Sequence, residues 1–141
     1  MIRMLGVDFG DARTGIAVSD SGGFLASPVC VIKETDFEKT IEKTAAFTKQ
    51  YAVGQIVVGY PKYMNGTVGE RAQKSQRFAQ ALEAQTGVPV ALWDERCTTM
   101  SAAVYMNATD TRGKKRKSTI DAAAATIILQ DYLDYQRNKT R

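Results

Sequence analysis

Residues 3–19, RMLGVDFGDARTGIAVS, hold two short apolar runs separated by a glycine-containing turn. Residues 3–9 read as a strand, GDART as the turn and residues 15–19 as a second strand. Strands joined by so short a connection must be antiparallel neighbours. A second turn follows at Asp20, Ser21, Gly22 and Gly23, and residues 29–33, VCVIK, read as a third strand, so the first third of the chain is a meander. Asp8 is the anomaly in this stretch, because an acid ends an apolar strand where another hydrophobe is expected.

Outward from the meander the period changes. Thr35 and Glu38 form an S/T-x-x-E pattern, and Phe37, Ile41, Ala45 and Thr48 mark one helical face, predicting a helix to about Tyr51. Residues 55–59 read as a buried strand, and YPKYMNG as a loop. Thr67 and Glu70 repeat the capping pattern and predict a helix ending at Gly87. Residues 88–93, VPVALW, read as a fifth strand, residues 99–106 as a short helix and residues 107–118 as a mobile basic loop. Ser118 and Asp121 open a last helix, broadly apolar from Ala122 to Leu133 and therefore largely buried. Three strands followed by alternating helices and strands imply an α/β fold in which a five-stranded mixed sheet is flanked by helices. A chain of 141 residues is expected to make one domain over residues 1–141.

Composition narrows the chemistry. The chain has no histidine, which removes histidine-based triads and histidine-bound zinc or haem. Cys30 and Cys97 are too few and too far apart for a disulfide framework; they read as buried thiols in a reducing compartment, and Cys97 has no histidine to activate it as a nucleophile. The net charge is +4, yet residues 112–141 alone carry eight Lys/Arg against three Asp. Charge so localised predicts a polyanion contact near the C-terminus. No run approaches the ~18 apolar residues of a membrane span, and no secretory apolar stretch opens the chain. A cytoplasmic protein without a membrane partner is expected.

Three acids occupy costly positions: Asp8 at a strand end, Glu95 just beyond VPVALW, and Asp121 in the first turn of a buried helix. Each has a structural explanation, namely a turn bond for Asp8, a solvated strand end for Glu95 and a helix-dipole contact for Asp121. Brought together, however, they would repel unless a cation neutralised them. Oxygen ligands without imidazole or thiolate favour Mg²⁺ or Mn²⁺. Two such ions ~3.5–4 Å apart support in-line phosphoryl displacement.

DFGDARTGIAVSD, GYPKYMNGT, the tripeptide Asp94-Glu95-Arg96 and KKRKSTIDAAAATIILQDYL resemble, in order and spacing over residues 2–135, the YqgF family. Its members are described as pre-16S rRNA nucleases or Holliday junction resolvase-like proteins with an RNase H-like fold. The resemblance implies that Asp8, Glu95 and Asp121 are the catalytic acids and metal ligands, the set that residue type had already isolated. It implies a metal-dependent nuclease on structured nucleic acid, leaving a 5′-phosphate and a 3′-hydroxyl. Precursor rRNA is the expected substrate and branched DNA the alternative; a junction substrate would require paired active sites, hence a homodimer. The chain departs from the pattern in the loop after the fourth strand, where Tyr60 replaces the common leucine and Asn65 a frequent acid.

Arg112, Lys114, Lys115, Arg116 and Lys117 precede Asp121 directly, as phosphate-binding residues beside a metal site would. Arg13 and Arg96 are candidates for contacts to the scissile or flanking phosphates. Two other readings stay open at this point: a nucleotide-handling domain, whose phosphate loop DFGDARTG would resemble, and a non-catalytic nucleic-acid-binding module.

Overall fold

The computed structural model describes residues 2–60, 69–94 and 122–139. The described strands form one five-stranded sheet, in the order β3-β2-β1-β4-β5. β1 (Arg3–Asp8), β2 (Arg13–Ser19) and β3 (Ala26–Lys33) are the antiparallel meander. After helix α1 (Phe37–Gln50), β4 (Val53–Tyr60) returns parallel to β1; after helix α2 (Glu70–Thr86), β5 (Val90–Asp94) lies parallel to β4. Helix α3 (Ala123–Lys139) closes the described chain. The mixed sheet with flanking helices is therefore as expected. The short helix of residues 99–106 and the basic loop of residues 107–118 lie outside the described residues, as do Thr67 and Ser118.

Strand alternation divides the core between two faces. Leu5, Val7, Phe9, Ile56 and Val58 meet Ile41 of α1 and Phe78 and Leu82 of α2. On the other face, Met4, Ala17, Val57, Ala91 and Trp93 meet Ala125, Leu129 and Leu133 of α3. Gly6 sets how closely α3 can approach: a Cβ there would stand 2.6 Å from the Leu129 Cβ and 2.9 Å from the Ala125 carbonyl oxygen. Two further contacts give the direction of α3. Gln130 accepts from the Ala26 N–H (2.9 Å), and Leu133 packs near Met4. Helix α3 thus runs antiparallel to β1, with its N-terminal end toward Asp8.

Several boundaries differ from the expectation, each for a local reason. Asp36, not Thr35, caps α1, accepting from the Lys39 N–H at 3.0 Å. Glu34 takes up the N–H groups of Thr35 and Asp36 (3.1 Å each), which leaves Asp36 extended at the cap position. The buried face of α1 is Thr40, Ile41, Thr44 and Thr48, whereas Phe37 remains 39% exposed. Threonine buries here because its hydroxyl returns to a helix carbonyl, as Thr44 does to Thr40 (2.8 Å). Helix α2 starts at Glu70 with Gly69 at its cap, and ends as expected at Gly87, whose φ of 71° is the left-handed cap conformation. β3 starts three residues before the expected Val29, because its register against β2 extends through Ser19↔Ala26. Cys30, on that edge strand, is half-buried, and burial raises its thiol pKa.

Candidate active site

In a mixed sheet of this order, β1, β4 and β5 point the same way and their C-terminal ends share one edge. Asp8 ends β1, Tyr60 ends β4 and Asp94 ends β5, with Tyr60 and Asp94 in register. Chain position then gives the rest: Glu95 follows Asp94 directly, and Asp121 precedes Ala122 at the mouth of α3. Both acids lie outside the described residues. Among the described residues no three acids or thiols converge into a metal cluster.

Asp8 shares its sheet face with Met4 and Gly6, the face that carries α3. Its carboxylate is partly withdrawn from water, and that burial raises its pKa above the ordinary 3.8; the Arg71 guanidinium opposes the shift. The Arg71 Nη2 is 3.9 Å from the Asp8 Oδ1, and the Arg71 side chain is itself mostly exposed. An exposed pair of this length contributes ~0–1 kcal/mol, so among the described residues the negative charge of Asp8 is under-compensated. Asp8 does not hold the Gly10 turn. That turn is bonded through Thr14, whose hydroxyl lies 3.4 Å from both the Gly10 N–H and its carbonyl. Gly10 itself admits no side chain, since a Cβ would lie 2.3 Å from the Arg13 carbonyl oxygen.

Beside Asp8 opens a cleft of about 360 Å³, lined among the described residues by Phe9, Gly10, Asp11, Glu70, Arg71 and Lys74. Lys74 bridges Asp11 (3.3 Å) and Glu70 (3.7 Å). Arg13, expected as a phosphate contact, starts β2 two residues before Gly15, the register partner of Asp8, and so stands at the same sheet end. Arg96, Arg112, Lys114, Lys115, Arg116 and Lys117 lie outside the described residues, together with Cys97. The sequence reading missed Arg71, Lys74 and Arg77. The signal for them was the three-residue spacing of cations along α2, which places all three on one side of a helix that follows the loop after β4.

Two solved structures share the architecture of this sheet. T. thermophilus RuvC in complex with a Holliday junction substrate superposes with a TM-score of 0.72 at 13% identity, covering 99% of this chain and 98% of that one. The yeast mitochondrial Holliday junction resolvase Ydc2 gives a TM-score of 0.55 at 13% identity, over 95% and 78% of the two chains. At such identities the likeness establishes the fold, which is RNase H-like.

Membership is settled by sequence: the chain belongs to the RuvX family, described as Holliday junction resolvase, whose model matches residues 2–135. Curated relatives carry the name "Putative pre-16S rRNA nuclease". One from Thermoanaerobacter pseudethanolicus is 43% identical over 98% of this chain and 100% of its own length. One from Bacillus subtilis is 45% identical over 94% and 98%. The chain is accordingly a hydrolase of phosphodiester bonds, a nuclease.

Proposed function

We propose that this nuclease trims precursor 16S rRNA in the cytoplasm, using a divalent cation held by Asp8, Glu95 and Asp121. The observation that carries the reading is the convergence of chain ends. The strand ending in Asp8, the strand end directly before Glu95 and the helix start directly after Asp121 belong to one edge of the sheet. Ala91 and Trp93 share the α3 face with Asp8, and Glu95 follows β5 directly in the chain. The relatives' name supports rRNA as the substrate class.

The donor set suits a hard cation: carboxylate oxygens without imidazole or thiolate, one of them partly desolvated and weakly compensated. Mg²⁺ or Mn²⁺ is the group that fits, and when bound it supplies Lewis-acid stabilisation of the phosphoryl oxygens and activation of water. The chain's own residues do the rest. Arg71 offsets the Asp8 charge and lines the cleft that a substrate phosphate would enter. Arg13 adds a positive charge at the same edge. Arg96 and the run Arg112, Lys114, Lys115, Arg116 and Lys117 bind flanking phosphates without reading sequence.

The test is incubation of the full chain with labelled precursor 16S rRNA and with a four-way DNA junction, in Mg²⁺, Mn²⁺ or EDTA. Metal-dependent cleavage of the rRNA precursor is expected. Cleavage confined to the junction would move the substrate to branched DNA and call for a homodimer with paired centres. Binding of either substrate without cleavage in any metal would leave a non-catalytic module.

A further inference from the structure

We propose that a second cleft beside the Asp8 edge binds one unpaired nucleotide of the substrate, its base against Phe37 and its phosphate on Lys74 and Arg77. This cleft has a volume of about 290 Å³ and is lined, among the described residues, by Phe9, Asp11, Phe37, Lys74 and Arg77. It shares Phe9, Asp11 and Lys74 with the cleft that reaches Arg71 and, through it, Asp8. The inference rests on the nuclease reading above, because continuity with that cleft is what makes the occupant part of the same strand.

Phe37 opens α1 and is 39% exposed, although the helix periodicity would bury it. Its ring stands at 89° to Phe9 (5.9 Å between centroids) and at 74° to Phe78 (6.2 Å). Phe9 and Phe78 stack on each other instead (4.4 Å, 21°). Phe37 is therefore anchored by edge contacts, and neither partner stacks on it. An exposed aromatic ring beside cations is the arrangement that receives a nucleobase and its phosphate together.

Charge and geometry select the occupant. Lys74 is shared between Asp11 (3.3 Å) and Glu70 (3.7 Å), whereas Arg77 is exposed and makes no ion pair among the described residues, so the cleft sets a cation beside an aromatic ring and favours an anionic ligand with an apolar part. Arg71, Lys74 and Arg77 span about 9 Å along α2, the rise of two to three nucleotides in one strand of a duplex, at ~3.4 Å each. A paired base has both faces stacked within its duplex; an unpaired base has a face to offer Phe37. The site thus selects single-stranded nucleotides flanking a paired region.

The experiment uses the full chain in EDTA and two labelled RNA hairpins, one blunt and one with a short unpaired extension carrying 2-aminopurine. The wild-type chain should bind the extended hairpin more tightly and quench the 2-aminopurine fluorescence. Phe37→Leu keeps the apolar contact with Phe9 and Phe78 but removes the aromatic face. It should reduce the preference for the extended hairpin by about 5- to 150-fold, the effect of one base–aromatic stack, and abolish the quench. Phe37→Tyr should restore both. Arg77→Gln changes an exposed side chain and serves if Phe37→Leu lowers the melting temperature. It should flatten the salt dependence for the extended hairpin by about 0.7 in slope relative to the blunt one. Equal wild-type affinity for the two hairpins, or quenching that survives both Phe37→Leu and Arg77→Gln, would overturn this site and leave the nuclease reading standing. Failure of the wild-type chain to bind either hairpin would remove both.

Discussion

At one end of the sheet Asp20 closes the turn between β2 and β3; at the other end Asp8 terminates β1. Asp20 is exposed, and its carboxylate accepts from the Phe24 N–H (2.8 Å) and the Leu25 N–H (3.2 Å). Those bonds hold its pKa below the ordinary 3.8. Asp8 is partly buried, its pKa is raised by desolvation, and its partner among the described residues is an exposed arginine at 3.9 Å. One end of the molecule uses its acid to complete the backbone. At the other end, among the described residues, the acid completes no backbone turn and meets a single exposed arginine, the setting expected of the proposed cation site.

The largest expected effect breaks that contrast. Asp8→Asn should lower metal-dependent cleavage by orders of magnitude, because an amide is a poor ligand for a hard cation. The melting temperature should stay level or rise, since the desolvated charge is gone. Asp20→Asn should do the reverse, lowering the melting temperature while cleavage persists. An Asp8→Asn protein that is folded and retains most of its Mg²⁺-dependent cleavage contradicts the assignment.

A second substitution set sharpens the Asp8 end. Replacing Lys114, Lys115, Arg116 and Lys117 by alanine should weaken binding across all sequences and flatten the salt slope by up to ~0.9 per lost duplex phosphate contact. Titration of binding against salt checks it, and an unchanged slope would mean that the run is a solvated face.

Next comes the spacing of α3 over β1. Gly6→Val places a branched side chain where even a Cβ meets Leu129 and the Ala125 carbonyl. Overpacking of this kind costs roughly 1–3 kcal/mol, read from the denaturation midpoint, and cleavage should fall with the displaced helix start. A midpoint within error of the wild type would show that α3 is not held by this contact.

The smallest effect is in pH. For Asp8 the folded pKa lies above 3.8, so the folded state holds the proton longer and stability falls as pH rises from 3.8 through the raised value. For Asp20 the folded pKa is depressed, so its contribution is present above 3.8 and is lost as pH falls through the lower value. Denaturation midpoints across the acid range should show the first slope vanish in Asp8→Asn and the second in Asp20→Asn. Retention of the falling slope in Asp8→Asn would assign it to another group.

Much of this molecule is legible in its residue pattern. The alternation in residues 3–19 and the change of period after Thr35 carried the strand and helix order, because periods of 2 and 3.6 are local properties of a chain beside a core. The acid at position 8 stood out because apolar strands seldom end so. Less legible were features that depend on a neighbour. Thr40, Thr44 and Thr48 bury because their hydroxyls turn back to their own helix, so an apolar periodicity misplaced the face of α1 and hid the exposure of Phe37.

Residue types at fixed spacing were enough for the family and for the order of the described elements, and they singled out three acids as candidates. Only the tertiary structure decided that Arg71 of α2 is the partner of Asp8, that Lys74 and Arg77 line a cleft with Phe9 and Phe37, and that α3 begins at the Asp8 edge. Those facts join residues more than thirty positions apart in most cases. They follow from the parallel crossovers that carry α1 and α2 onto one face of the sheet and from the close contact at Gly6 that lays α3 on the other. Such long-range pairings are set by how whole faces pack, which local pattern does not encode.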